Sequence, residues 1–266
     1  MRFVISVVAA VMLGAGAAAA ADMPLKAPVT AAPPAPAWTG FYLGANAGGG
    51  QARSSISYRG NDFLSTFVLG VLPLPGVADS SIRPLGGLQA GYNYQFAPRW
   101  VAGLEADFDW ADIKTSGQST FFALNMTVNE RIKWFGTLRG RLGYLPVPDL
   151  LAYVTGGLAY GRIARSGSWT GTALGLGGGF SVSCVGAAVC MEGSSSEEKL
   201  GWALGGGLEY ALRQRWSVKA EYLYIQFSGA ITETAVTPLA GTAPSSFSAD
   251  FRTGLNIVRL GLNYRF

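Results

Sequence analysis

Glu105, Asp107 and Asp109 stand two residues apart in one segment, and Arg131, Lys133, Arg139 and Arg141 hold odd positions in a later one. Charged groups at this spacing suit three kinds of chemistry: paired-carboxylate hydrolysis, an ion path lined by both signs, or a salt-bridged interior. Histidine is absent from all 266 residues. That removes Ser-His-Asp and Cys-His nucleophiles, His-ligated zinc and His-ligated haem. The spacing of Asp107 and Asp109 follows from alternation alone, and no nucleophile and base converge on them, so no enzyme, cofactor or metal is expected. Cys184 and Cys190 are the only cysteines and fall in one short stretch. In an exported chain the simplest reading is a disulfide closing a small loop, with free thiols or a metal site lacking further ligands as alternatives. The glycine run at residues 174–179 lacks the Lys-Ser/Thr and helix of a phosphate loop.

The elements that must position these groups begin after an export segment. Arg2, an apolar run from Val4 to Leu13 and Ala18-Ala19-Ala20 read as a signal peptide over residues 1–20, cleaved after Ala20. An uncleaved membrane helix is the alternative. Residues 21–37 are rich in Pro and Ala, the composition of an extended periplasmic linker, and residues 38–266 form the remaining domain. Later in the chain no apolar run is long enough to cross a bilayer as a helix, so a membrane-embedded domain must be a barrel. The net charge is +4, without a basic run interleaved with aromatics. Nucleic acid is therefore not an expected partner.

Alternation with a period of two recurs in eight segments: Thr39–Gly50, Leu85–Phe96, Trp100–Trp110, Arg131–Tyr144, Leu150–Arg162, Leu200–Leu212, Trp216–Phe227 and Leu255–Phe266. Trp100, Leu104, Phe108 and Trp110 share one face of the third segment, and Glu105, Asp107 and Asp109 the other. Short connections follow the second, fourth and sixth segments; long ones at 51–84, 111–130, 163–199 and 228–254 follow the rest. Short turns on one side and long loops on the other is the layout of an outer-membrane barrel, predicting a closed antiparallel transmembrane β-barrel of eight strands. Ten residues at about 3.3 Å each, tilted near 40°, climb about 25 Å, the height of the lipid-facing band. Trp100 and Trp110 are that far apart, as are Trp134 and Tyr144. They mark two aromatic girdles.

An eight-stranded barrel is just wide enough for inward side chains to fill it. Glu105, Asp107 and Asp109 should lie beside Arg131, Lys133, Arg139 and Arg141, Glu209 opposite Lys219, and Glu221 beside Arg259. Inward glycines such as Gly48, Gly103 and Gly261 should make room for the long side chains. Charges in a low-dielectric shell must pair. The narrow bore favours a salt-bridge plug over a pore. Ser-, Thr- and Gly-rich loops on the outer side are where binding should reside, but neither a loop ligand nor an oligomeric state can be read from the sequence.

Trp38-Thr39-Gly40-Phe41-Tyr42-Leu43-Gly44, Gly87-Leu88-Gln89-Ala90-Gly91-Tyr92-Asn93, Val154-Thr155-Gly156-Gly157-Leu158-Ala159-Tyr160-Gly161 and Lys219-Ala220-Glu221-Tyr222-Leu223-Tyr224 resemble the small immunogenic, porin-like outer-membrane β-barrel proteins of alpha-proteobacteria. The ending Arg259-Leu260-Gly261-Leu262-Asn263-Tyr264-Arg265-Phe266 is similar to the terminal strand read by the barrel-assembly machinery, with Tyr264 and Phe266 as its signal. The resemblance implies a surface protein embedded in outer-membrane lipid, with a part in envelope integrity and host recognition. A narrow diffusion channel is the alternative. It carries over no catalytic residue.

Overall fold

The computed structural model describes residues 38–71, 74–76, 81–121, 124–171, 174–177, 180–182, 189–212, 215–235 and 246–266. The expected export segment and linker, and Cys184 of the expected disulfide, lie outside the described residues.

Ten strands and one helix follow in chain order: β1 (Gly40–Gly60), α1 (Phe63–Val71), β2 (Arg83–Ala97), β3 (Trp100–Phe121), β4 (Leu124–Val147), β5 (Leu150–Gly171), β6 (Leu174–Gly177), β7 (Phe180–Val182), β8 (Val189–Ala211), β9 (Trp216–Ala235) and β10 (Ser246–Arg265). β6 and β7 pair only with each other; the other eight close in the order β1-β10-β9-β8-β5-β4-β3-β2. Each neighbouring pair is antiparallel. Closure leaves no strand edge inside the lipid belt, where an unpaired backbone group finds no water. The strand number and chain order agree with the sequence pattern. Gly40 opens β1 at φ 144°, a backbone conformation that side chains disfavour.

The girdles form as expected. Phe108 stacks on Trp134 at 5.3 Å, Trp134 meets Tyr160 at 5.6 Å, and Trp202 meets Tyr224 at 5.4 Å at the outer level. Trp100–Tyr144 at 5.3 Å and Trp216–Tyr264 at 5.1 Å mark the lower one. Between them the outer wall is apolar: Leu104, Leu138, Leu158, Leu204 and Leu260 are all exposed.

The strands are longer than the sequence segments. β1, β3, β5 and β9 run past their expected ends, and β4, β8 and β10 begin earlier, so most of the expected outer loops are strand. β3 continues from Trp110 to Phe121, a climb of roughly 28 Å beyond the girdle at the usual rise and tilt. The inward alternation persists there, with Met126, Val128, Phe247, Ala249 and Phe251 buried. The outward positions lose their apolar character because they have left the lipid. That hid these stretches from a hydrophobic-period reading. Helix α1 was also not anticipated; Asp62 caps it by accepting the Ser65 N–H at 2.8 Å, and Ser65 Oγ accepts the Asp62 N–H at 3.1 Å.

Above the girdle the ring opens. β2 leaves β1 at the Gly50–Arg83 pair and β3 at Leu85–Ala111, while β8 and β9 have no paired positions between Glu192 and Gly201 among the described residues. In the extension β1-β10-β9 and β3-β4-β5-β8 therefore face each other as two sheets across buried apolar side chains, and β8 and β9 meet again at the Met191–Ala235 and Glu192–Thr234 pairs.

Candidate functional site

The lumen is filled in layers. At the lower mouth Trp38, Val101, Leu145, Leu151, Tyr153 and Ala211 form an apolar floor. Trp38 donates its indole N–H to the Pro148 carbonyl at 2.9 Å and lies under the Arg265 guanidinium at 4.6 Å. Cation–π contact and a hydrogen bond fix the ring across the opening.

The charged layer comes next. Arg259 bonds Asp109 at 2.7 Å, Asp107 at 2.8 Å and Glu221 at 2.7 Å. Arg139 bonds Glu105 at 2.7 Å, Asp107 at 2.6 Å and Glu221 at 3.0 Å. Lys219 reaches Glu105 at 2.8 Å, and Arg141 reaches Glu209 at 2.7 Å. All of these side chains are buried. Neutral groups complete the shell. Tyr42 donates to Glu105 at 2.7 Å, Tyr153 to Glu221 at 3.0 Å, Thr137 to Asp107 at 2.8 Å and Ser217 to Glu209 at 2.6 Å. Gly48 makes space for this network: a Cβ there would come within 2.8 Å of the Arg259 Cβ and 2.6 Å of its Cα. Gly261 does the same for Lys219, whose Cγ would lie 2.9 Å away.

A buried carboxylate that accepts from a guanidinium or ammonium is fixed in place as one half of an ion pair. Each carboxylate of the layer receives at least one such donor. The arrangement holds charge in place.

Above it lies a layer that the sequence reading did not anticipate. Leu85, Ile113, Ile132, Phe135, Ile163, Leu223, Ile225, Phe227, Leu255 and Ile257 are buried in one apolar cluster. Most sit at inward positions of segments whose charges drew attention to the layer below. Higher still, Glu130 accepts from Arg165 Nε at 2.6 Å and from Thr253 Oγ1 at 2.7 Å, and Ser54 Oγ donates to it at 3.0 Å. Arg165 stacks 5.0 Å from the Phe251 ring.

Of the charges expected inside, Glu105, Asp107, Asp109, Arg139, Arg141, Glu209, Lys219, Glu221 and Arg259 are there. Glu209 stands opposite Lys219 in register, as anticipated, although each bonds elsewhere. Glu221 and Arg259 are register partners and bonded. Arg131 and Lys133 are not in the lumen. Arg131 is 48% exposed and donates to Asp112 on the outer wall at 2.5 Å, and Lys133 is also exposed. The cause is a β-bulge. On β4 the register with β5 shifts between Ile132 and Trp134, so odd positions face inward below it and even positions above it. The same flip turns Glu130 inward, a residue that the sequence pattern assigns to the outer loop at 111–130. Asp112, two residues above the Trp110 girdle, has its carboxyl held below the usual range by the Arg131 hydrogen bond.

At the C-terminus Tyr264 packs on Phe266 at 5.3 Å, the Phe266 ring is exposed, and its N–H bonds the Phe41 carbonyl at 3.0 Å. Cys190 begins β8 with Val189, and its expected partner lies outside the described residues.

Residues 7–266 match the family described as outer membrane protein beta-barrel domain. The chain is 34% identical to the 31 kDa outer-membrane immunogenic protein of Brucella melitensis, over 95% of each chain. Solved structures that align with it include the outer membrane protein OprG from Pseudomonas aeruginosa, at 12% identity and a TM-score of 0.46, covering 86% of this chain and 97% of that one. Another is the outer membrane protease OmpT from Escherichia coli, at 11% identity and a TM-score of 0.42, covering 85% and 97%. With an apolar outer belt, a closed ring and a match over nearly its whole length, the chain belongs to the outer membrane β-barrel protein family and is related to the immunogenic outer-membrane proteins of Brucella.

Proposed function

We propose that this outer-membrane protein is a sealed, non-enzymatic scaffold that reinforces the envelope and offers its outer extension for contact. The observation that carries this reading is the stack inside the barrel: the floor over Trp38, the ion-paired layer around Arg139 and Arg259, and the apolar layer around Phe135 and Leu255. A conducting path needs a continuous wet bore, and an eight-stranded circumference leaves little. The lumen charges then act as structural pairs. Purified protein in planar bilayers should give no discrete, reproducible conductance steps; such steps would replace the scaffold with a narrow channel. The Tyr264–Phe266 end is proposed as the segment handed to the assembly machinery. Deleting Phe266 should lower recovery in the outer membrane, and unchanged recovery would remove that role.

A further inference from the structure

The β4 bulge that removes Arg131 and Lys133 from the lumen places them on the outer wall directly above Trp134. There they meet Lys114, the register partner of Arg131 on β3. Arg162, on β5, is the register partner of Trp134 itself. A cavity of about 720 Å³ opens across this wall, its lining including Lys114, Arg131, Lys133, Glu130, Ser166 and Ser194, with Arg162 beside it and outside the lining. That volume suits a sugar-sized or larger ligand. Asp112 sits among the cations, accepting from Arg131 at 2.5 Å and pairing with Lys114 at 3.3 Å. It orients two of them and leaves the patch cationic. Lys133 and Arg162 have no ion-pair partner among the described residues; the neighbouring carboxylate Glu198, the register partner of Arg162, accepts from Tyr160.

Height decides what such a patch meets. From Trp134 up to Arg131 is three residues, a climb of roughly 8 Å at the usual rise and tilt. The polar headgroup zone of a bilayer leaflet is about 5–8 Å deep. With the rings of Phe108, Trp110, Trp134 and Tyr160 at the membrane–water interface, the cations therefore stand just above them in the outer headgroup zone. A soluble anion would have no use for the aromatic ledge. The opposite wall repeats the design, with exposed Arg53 and Arg252 lining a cavity above Tyr224.

We infer that the outer wall at Lys114, Arg131, Lys133 and Arg162 is a seat for the phosphorylated headgroup of an outer-leaflet glycolipid, its acyl chains lying against the aromatic girdle. Phosphate oxygens accept from the cations, and sugar hydroxyls face the serines. This tightens the proposed scaffold role by naming the lipid that the barrel holds, and it rests on the orientation that puts the strand extensions outside.

The test is native mass spectrometry of the full-length mature barrel, released from micelles containing bis-phosphorylated lipid A or its dephosphorylated form. The phosphorylated lipid should be retained and the dephosphorylated one lost. Arg131→Gln with Lys133→Gln should retain one lipid fewer per barrel and weaken binding about tenfold, as removal of two surface cations predicts. Arg131→Lys with Lys133→Arg should behave as the parent, which separates charge from folding. Equal retention of the two lipids, or unchanged retention by the glutamine variant, would overturn the seat. So would displacement of the lipid by an equal concentration of inorganic phosphate, which would mark a soluble-anion site. Protease cleavage of the extensions on intact cells tests the orientation separately. Loss of lipid selectivity with the extensions exposed touches the seat alone.

Discussion

Within the lipid belt the eight strands form an unbroken ring around paired charges; above the outer girdle the ring opens beside β2 and between β8 and β9, leaving two facing sheets around a mostly apolar filling that meet again at Met191–Ala235 and Glu192–Thr234. The difference follows the solvent. In lipid every backbone donor and acceptor must be satisfied within the barrel, so no edge can open. Above the lipid, water can satisfy an edge, and β2 can leave the ring at Arg83. The belt has an apolar outside and a charged layer inside, whereas the extension has a polar outside and a mostly apolar inside around the Glu130–Arg165 pair. Lipid replaces the hydrophobic core as the partner of apolar residues in one region, and a packed interior resumes that role in the other.

Variants can break this comparison at graded cost, each measured as a shift in the urea unfolding midpoint of the barrel in lipid vesicles. Arg259→Met leaves Asp109 in the belt without its ion-pair partner, and Asp107 and Glu221 with Arg139, and should cost about 3–5 kcal/mol, the toll of leaving buried charge unpaired. A loss below about 1 kcal/mol would mean water reaches the layer, reviving the channel. Leu223→Ala, in the apolar layer between the regions, should cost about 3 kcal/mol by leaving a cavity. If that variant also conducts in planar bilayers, the apolar layer is the seal; if it stays silent, the charges alone suffice. Glu130→Gln in the extension should cost about 2 kcal/mol, because Arg165 and Thr253 keep a weaker, neutral acceptor. Thr253→Val should cost about 1 kcal/mol. Should the two extension variants match Arg259→Met, the extension and the belt unfold as one unit and the contrast between them is structural only.

Particular residues mark how far the sequence could be read. Trp100 and Trp110 on one face with Glu105, Asp107 and Asp109 on the other left one arrangement open, because oily and charged faces on a single strand need lipid outside and partners inside. The lumen address of Arg139, Lys219 and Arg259 came from the same parity. Arg131 and Lys133 share it and yet lie outside, since one extra residue on β4 reverses every position beyond it. A period count has no means of sensing a bulge whose flanks both alternate well. The extension stayed hidden for another reason: Ser, Thr and Gly on a water-facing strand surface look like loop, and the buried Phe247, Ala249 and Phe251 opposite them are too few to announce a strand alone.

The sequence by itself determined the strand number, the order of the ring, the apolar belt and its girdles, because each follows from local alternation and from the cost of leaving lipid or charge unmatched. Which charges meet, which two escape to the outer wall, and where the ring opens were decided only in three dimensions. Those outcomes depend on register between strands as distant in sequence as Asp107 and Arg259, joined at 2.8 Å, and no local pattern carries register across that distance.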